Sequence, residues 1–244
     1  MFPGAGTVLN ILTIILGGGL GVFIGNKISK KLRNLILDTL GCVTIISAAD
    51  ALLDFWDPEF QNSLPKGWPL LVVVFSLIFG AVIGTAMRIE SRLEVFGDNL
   101  KNRFSSEGDA NFIEGFVSAS LIFVIGPLAI LGSISDGMGT GIDQLILKST
   151  LDGFAALAFA ASLGWGVCLS FIPVGIYQFT WTGVGVFLGS ILAEYQVLAM
   201  TSVGGILLFG ISLRLLKIKM IEIGNLLPAL ALAPLLALLG HQFI

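Results

Sequence analysis

Asp152 is the residue with the clearest capacity for chemistry, and it follows Lys148 in the run Lys148-Ser-Thr-Leu-Asp152. On a helix, the amine four residues earlier would neutralise the acid. Ser149-x-x-Asp152 also has the spacing of a capping box, in which both side chains bond free N–H groups in the first turn of a helix. A carboxylate away from water must be bonded, bind an ion or accept a proton. The run therefore fits a capped helix start, a site for an ion or polar solute, or both.

Further polar side chains stand inside apolar stretches, where water cannot satisfy them. Asn10 must bond a neighbouring helix or a ligand, and Gln178 has the same two choices. Asn225 precedes Leu-Leu-Pro228, which suits the N-cap of a helix with proline in its first turn. We predict that a solute pathway is lined by Asn10, Ser149, Asp152, Ser162, Gln178 and Asn225.

The sequence shows no constellation for catalysis, metal binding or redox chemistry. His241 is the single histidine, and Cys42 and Cys168 each lie in apolar surroundings. Asp136 and Asp143 lack the carboxylate spacing of a calcium loop. With 13 Lys and Arg against 16 Asp and Glu, the chain lacks the basic excess that nucleic-acid binding requires. We therefore expect no enzyme activity, no cofactor, no metal and no nucleic-acid partner.

The composition decides which elements must hold these polar groups. Of the 244 residues, 55% are hydrophobic and only 12% are charged, and the mean hydropathy is +0.96. Soluble domains have about 25% charged residues, and a helix needs about 20 apolar residues to cross hydrocarbon. The sequence predicts an all-α transmembrane bundle in a single domain, 1–244, with eight spans: 4–25, 34–53, 68–87, 112–133, 150–170, 172–192, 197–216 and 226–241.

The basic residues predict how these spans are oriented, because Lys and Arg gather in cytoplasmic loops. With the N-terminus outside, the cytoplasmic loops hold 11 of the 13 Lys and Arg, and only Lys66 and Lys148 fall elsewhere. We predict a multi-pass protein of the inner membrane with both termini outside. Charged and apolar residues follow a helical period over 89–111, which predicts an amphipathic helix at the cytoplasmic membrane surface or a solvated linker helix.

A glycine-rich heptapeptide occurs twice. Gly19-Leu-Gly-Val-Phe-Ile-Gly25 recurs as Gly183-Val-Gly-Val-Phe-Leu-Gly189, in spans that would cross the membrane in opposite directions. A true repeat would be inverted, with halves in 1–110 and 172–244, an arrangement common among secondary transporters. Small residues at this spacing also let membrane helices pack closely, within one chain or between the chains of a homodimer.

Several short motifs occur in a characteristic order along the chain. They are Gly6-Thr-x-x-Asn10, Gly132-Ser-Ile-x-Asp-Gly137, Lys148-Ser-x-Leu-Asp-Gly153, Pro173-Val-x-x-Tyr-Gln178 and Asn225-x-Leu-Pro-Ala229. Together they resemble the YdfK/YqgA-like bacterial membrane proteins, a domain-of-unknown-function family. The resemblance implies a polytopic inner-membrane protein, and such proteins are often described as candidate transporters.

Two functions from different classes fit these features. We predict a secondary transporter or channel for a small solute or ion, embedded in the lipid bilayer. The alternative is a membrane scaffold or sensor that transports nothing, which the amphipathic segment and the shortage of polar residues in the spans would suit.

The predicted orientation can be tested by labelling single cysteines in a background that lacks Cys42 and Cys168. An impermeant thiol reagent added to intact cells should label cysteines introduced at Ser63 and Gly139, because both loops are predicted to lie outside. A cysteine at Ser29 should stay unlabelled until the cells are opened. The reverse pattern would show that the orientation is inverted.

Overall fold

The computed structural model describes residues 2–25, 27, 29–104, 111–125, 127–188 and 192–243. Across these ranges the regular structure is helical and includes no strand, which confirms the all-α fold. Two short 3-10 helices, Asp54–Trp56 and Ile223–Leu226, accompany the α-helices. The α-helices are α1 (Ala5–Gly25), α2 (Lys30–Leu53), α3 (Pro58–Asn62), α4 (Trp68–Met87), α5 (Ile89–Phe104), α6 (Phe112–Val124), α7 (Pro127–Met138), α8 (Asp143–Leu163), α9 (Gly166–Leu169), α10 (Phe171–Leu188), α11 (Glu194–Leu215) and α12 (Pro228–His241).

The helices form two compact units. Helices α1, α6, α8, α9 and α10 and nearly all of α7 belong to unit 1, whereas α3, α4, α11 and α12 belong to unit 2. Helices α2 and α5 each contribute to both. Unit 1 comprises Met1–Leu40, Leu93–Val124 and Leu128–Ile191, and unit 2 comprises Gly41–Arg92, Ile125–Pro127 and Leu192–Ile244.

Seven helical segments of the described chain are long and apolar enough to cross a membrane, and α6 with α7 makes an eighth if the two form one bent span. Their outward surfaces are apolar. On α1, for example, the exposed residues include Leu12, Leu16, Leu20 and Phe23. A water-exposed surface of this kind would aggregate, whereas lipid tails accommodate it.

In unit 1 the glycines of α1 allow a close approach to α8. A Cβ at Gly17, Gly21 or Gly25 would collide with a backbone carbonyl of α8. These glycines recur every four residues on one side of α1, a spacing that brings membrane helices together. The carbonyls that face them belong, in the same order, to Gly153, Leu157 and Ala161.

The register of this pair also gives the direction of the two helices. Residue numbers rise together by four along α1 and α8, so the helices are parallel. Two candidate spans, in α2 and α4, lie between them in the chain, and with only those two crossings α8 would run antiparallel to α1. A third crossing, by the bent pair α6 and α7, would give the parallel direction that the packing shows. The parallel packing agrees with the predicted eight spans, whereas the helices themselves give seven or eight candidates; the placement of both termini on one side, and outside, stays a prediction.

The fourth predicted span, 112–133, is broken rather than straight. Helix α6 ends at Val124, and its axis makes an angle of 61° with that of Leu128–Met138. Pro127 explains the end of α6, because proline has no N–H to donate within a continuing helix. Hydropathy predicted one span here because it measures apolar length and is insensitive to a missing backbone donor.

The start of the fifth predicted span, at residue 150, is also wrong, because α8 begins seven residues earlier, at Asp143. The preceding turn contains Gly139 and Gly141 with φ of 72° and 147°, a conformation that favours glycine and separates α7 from α8. The sequence Gln-Leu-Ile-Leu-Lys148 consists largely of good helix formers and continues the helix. Lys148 and Ser149 therefore lie inside α8 and not in an outer loop.

Two other expectations meet the edge of the described residues. Helix α5 confirms a helix over 89–104, but residues 105–110 of the predicted amphipathic segment lie outside the description, as does Gly189 of the second heptapeptide. Gly21 and Gly185, the central glycines of the two heptapeptides, each face a carbonyl of a neighbouring helix, which is close packing. The membrane-surface position of α5 and the inverted repeat over 1–110 and 172–244 stay predictions.

Unit 2 is built around α11, the most buried of the candidate spans in the described chain. Glycines again bring helices together, because a Cβ at Gly80 or Gly84 of α4 would collide with the backbone of Ala229 or Asn225. Gly80 faces Ala229, whereas Gly84, one turn later on α4, faces the earlier residue Asn225. Helix α4 is therefore antiparallel to the segment that leads into α12. This direction agrees with the third and eighth positions of the two helices in an eight-span chain.

The glycine packing in unit 1 can be tested with one matched pair of variants. Gly21→Ala should lower the melting temperature of the purified protein, because its Cβ collides with the Leu157 carbonyl and overpacking costs about 1–3 kcal/mol. Gly19→Ala is the control, since the space around its Cβ is open and alanine is the better helix former. Equal melting temperatures for the two variants would contradict the packing described here.

Candidate functional site

Lys148 and Asp152 form a buried ion pair in the middle of α8. The Lys148 ammonium lies 2.6 Å from Oδ2 of Asp152, one helical turn away. Lys148 is 6% exposed and Asp152 is 7% exposed, so neither charge has water as an alternative partner. Breaking such a pair leaves an uncompensated buried charge, which is strongly destabilising.

The ammonium has a second acceptor on α6. Lys148 Nζ donates to the carbonyl oxygen of Phe123 over 2.8 Å. In a continuous helix this carbonyl would accept from the N–H of residue 127, but that residue is Pro127 and has no N–H. The proline that ends α6 therefore also frees an acceptor for the lysine.

Two amides from other helices complete the group. Asn10 of α1 donates from Nδ2 to Asp152 Oδ2 over 3.0 Å and to Oε1 of Gln178 on α10 over 3.3 Å. Both amides are fully buried. We call the side chains of Asn10, Lys148, Asp152 and Gln178, with the Phe123 carbonyl, the polar cluster. It joins α1, α6, α8 and α10 inside unit 1.

Several polar atoms in this region make no hydrogen bond within the described residues. They are Oδ1 of Asn10, Nε2 of Gln178 and the hydroxyl oxygens of Ser118 and Ser149, all of them buried. An unsatisfied buried polar group costs about 1–3 kcal/mol. Two of these atoms, one acceptor and one donor, belong to the polar cluster itself. The cluster thus keeps hydrogen-bonding capacity that its own residues do not use.

Polar contacts continue from the cluster along the same side of α1. Thr7, one turn before Asn10, lies 3.5 Å from Thr182 of α10, measured between their hydroxyl oxygens. The backbone N–H of Gly6 donates to Asp136 Oδ2 of α7 over 2.9 Å. A row of polar groups therefore extends from Asp136 to the polar cluster through the interior of unit 1.

The structure separates the six residues predicted to line a pathway. It brings Asn10, Asp152 and Gln178 into direct contact and places Ser149 one turn from Asp152. Ser162 lies near the end of α8, about 15 Å farther along the helix. Asn225 belongs to unit 2 and takes no part in the cluster.

The capping-box interpretation of Ser149 and Asp152 is wrong. Helix α8 begins at Asp143, with Ile142 as its N-cap, so both residues lie in its interior. The free N–H groups that a capping box would bond occur only in the first turn of a helix. The side chain of Asp152 instead bonds Lys148 and Asn10.

Asn225 does not cap the last span either. Helix α12 starts with Pro228 at N1, as predicted, but its N-cap is Leu227. The Asn225 amide accepts from the backbone N–H of Glu90 over 3.0 Å and donates to Glu222 over 2.6 Å. It therefore closes the beginning of α5, a helix remote in sequence.

Glu90 forms the second buried ion pair of the described residues, in unit 2. Its carboxylate pairs with Arg214 near the end of α11 and accepts from the backbone N–H of Gly224 over 2.6 Å. With Asn225 bonded to the Glu90 N–H, these contacts join the start of α5, the end of α11 and the turn before α12. This network fixes helix ends, whereas the four side chains of the polar cluster lie within helix interiors.

The ion pair confirms the predicted neutralisation of Asp152 by Lys148, but sequence reasoning missed the Phe123 carbonyl and the buried position of Lys148. Lys148 was assigned to an outer loop because the start of α8 was placed too late, and Phe123 contributes only a backbone atom. The available signal was Pro127, four residues after Phe123, since a proline in an apolar span identifies the carbonyl that it leaves free. Among the described residues, no group of three or more His, Cys, Asp or Glu side chains could hold a metal ion.

The coupling of Lys148 to Asp152 can be measured by a double-mutant cycle. Lys148→Met and Asp152→Leu should each destabilise the protein by about 3–5 kcal/mol, because each leaves one buried charge alone. The double variant should be more stable than the sum of the two losses, since no charge remains. Thermal or denaturant unfolding in detergent gives these energies, with the exposed Asp143→Leu as control. Additive losses would mean that the two charges are not coupled.

Comparison with known proteins places the chain in a family. Residues 5–238 match the family described as protein of unknown function (DUF554). The uncharacterized membrane protein YdfK of Bacillus subtilis (strain 168) is 27% identical over 243 residues, which cover 98% of this chain and 97% of that protein. The uncharacterized protein YqgA of Escherichia coli (strain K12) is 29% identical over 232 residues, covering 93% and 94%. No solved structure matches the chain.

With candidate spans along its length and a family match over residues 5–238, this chain is a multi-pass integral membrane protein of the DUF554 family.

Proposed function

We propose that the protein is a secondary transporter or channel for a small polar solute or ion, with a path through the polar cluster of unit 1. One observation carries the proposal. An ion pair and two amides lie buried among transmembrane helices and retain hydrogen-bonding atoms that no described residue uses. Ionisable groups at such positions mark solute and ion pathways in membrane proteins.

The free-energy cost of burying the ion pair of the polar cluster supports a role beyond stability. Replacing a buried ion pair by apolar side chains of similar volume is often neutral or stabilising. A bundle that needed only to hold together would therefore gain nothing from Lys148 and Asp152 over leucine and methionine. A path for a polar solute, in contrast, requires groups that exchange internal bonds for bonds to the solute.

The broken helix supports the same function. Secondary transporters build their sites from discontinuous helices, whose free backbone groups contact the solute or a coupling ion. Here α6 ends beside the polar cluster, and its freed Phe123 carbonyl contacts Lys148. The row of polar contacts toward Asp136 gives the proposed path a direction along α1.

A scaffold or sensor remains the competing function, and we propose neither role as enzymatic. The competing role needs no solute and no titratable group inside unit 1. A screen of the purified protein against ions and small metabolites, read as melting temperature at several pH values, separates the two. A ligand that binds the folded state raises the melting temperature with concentration, whereas a scaffold should respond to none.

The proposed path is tested by Asp152→Asn in proteoliposomes, once the screen has given a solute. Asn keeps the size of the side chain and an acceptor for Lys148 but removes the charge. We expect solute flux to fall by at least about tenfold, equivalent to about 1.4 kcal/mol in the barrier. Asp143→Asn is the matched control, because it removes an exposed acid from the same helix.

Both variants must first elute as a single species in detergent, so that lost flux is not lost folding. Unchanged flux and unchanged pH dependence for Asp152→Asn would exclude the charge-dependent path. Equal losses in the two variants would point to a general effect of net charge on insertion or orientation.

A further inference from the structure

We infer that Asp152, Asn10 and the Phe123 carbonyl form a binding site for a monovalent alkali cation, and that the Lys148 ammonium is a tethered occupant of this site. The inference concerns binding and goes beyond the proposed function, since it can hold whether or not the protein transports a solute. It assigns Lys148 the role of an internal competitor for sodium, potassium or lithium.

The ligand chemistry is that of a hard cation. The ammonium is bonded to a carboxylate oxygen at 2.6 Å and to a backbone carbonyl oxygen at 2.8 Å, from two different helices. Carboxylates, carbonyls and water are the ligands that alkali and other hard cations prefer. Asn10, which bonds Asp152 through Nδ2, carries a third buried oxygen, Oδ1, which bonds neither the ammonium nor another described residue and would reach an ion after the amide turns.

The single carboxylate of the site favours a monovalent cation over a divalent one. Asp152 is the carboxylate of the polar cluster, and Lys148 is its cation. A monovalent ion in place of the ammonium would keep the cluster neutral. A divalent ion would leave an uncompensated positive charge in the membrane interior, which is costly.

The end of α6 favours a cation at this place for an independent reason. The C-terminus of a helix carries partial negative charge, because its last carbonyls have no partner within the helix. Pro127 removes the donor that Phe123 would otherwise bond, so this carbonyl presents its lone pairs to the polar cluster. Transporters use such half-helix ends to coordinate cations.

Lys148 and a free cation must exclude each other from these oxygens. The lysine side chain is long and flexible, and its ammonium keeps the site filled without a free ion. Removal of the ammonium should therefore expose the same oxygens to ions from solution. This consequence distinguishes a cation site from an ion pair that only stabilises the fold.

The test uses purified Lys148→Met, whose side chain is apolar and of similar length. Melting temperatures are measured in sodium, potassium or lithium chloride against the chloride of the bulky cation N-methyl-D-glucamine, at equal ionic strength. We expect an alkali cation to raise the melting temperature by about 5–10 °C at a hundredfold excess over its Kd. The wild type, whose site is filled by Lys148, should show no such shift, and Lys148→Met with Asp152→Asn should lose it.

Three results would overturn the inference. The first is an equal response of Lys148→Met and wild type to every alkali cation. The second is a shift that survives Asp152→Asn. The third concerns variants that fold poorly. Lys148→Gln, which keeps a donor for the Phe123 carbonyl, is therefore prepared beside Lys148→Met. A bound cation should restore the missing positive charge in either variant. Failure of both variants to fold in all three alkali salts would therefore also contradict a cation site.

Discussion

A charged side chain inside a membrane-spanning bundle must be neutralised and hydrogen-bonded by protein, and in unit 1 this requirement links the helices that form the interior. Lys148 takes acceptors from α8 and α6, and Asp152 takes donors from α8 and α1. Gln178 extends the contacts to α10 through Asn10. A relative shift of these helices would break the hydrogen bonds of Lys148 to Phe123 and of Asn10 to Asp152, although the ion pair itself lies within α8. The polar cluster therefore joins α6 and α10 to the pair α1 and α8, whose register the glycine contacts also define.

Glycine and proline prepare this arrangement at the level of the backbone. Gly17 lies two turns after Asn10 on the same side of α1, and its missing Cβ lets α1 approach the backbone of α8. That approach brings the Asn10 amide within 3.0 Å of Asp152. Pro127 acts through a missing donor, because it leaves the Phe123 carbonyl for Lys148. Two residues that add no polar side-chain atom, Gly17 and Pro127, thus determine which polar contacts can form.

The buried network of unit 2 also neutralises a charged side chain, but its contacts join the ends of helices. Glu90 is matched by Arg214, by the Gly224 N–H and, through its own backbone, by Asn225. Both polar atoms of the Asn225 amide are used. In the polar cluster, by contrast, Asn10 and Gln178 keep unpaired atoms. Nε of Arg214 in unit 2 also lacks a partner within the described residues, but that network joins helix ends, whereas the polar cluster places two unpaired amide atoms beside an ion pair among packed helices; the proposals therefore rest on unit 1.

The all-helical fold and the positions of most spans follow from the sequence, because the length of an apolar run is enough to specify a transmembrane helix. The sequence also identified Asn10, Asp152 and Gln178 as polar groups that would need partners inside the membrane. It misplaced the start of α8 and the N-cap of α12, since Asp143 and Leu227 give no stronger local signal than the alternatives. Tertiary structure alone decided that Lys148 lies inside the bundle, that the Phe123 carbonyl bonds it, and that Asn225 joins another unit. Those outcomes depend on contacts between residues up to 135 positions apart, and no local pattern encodes which helices will meet.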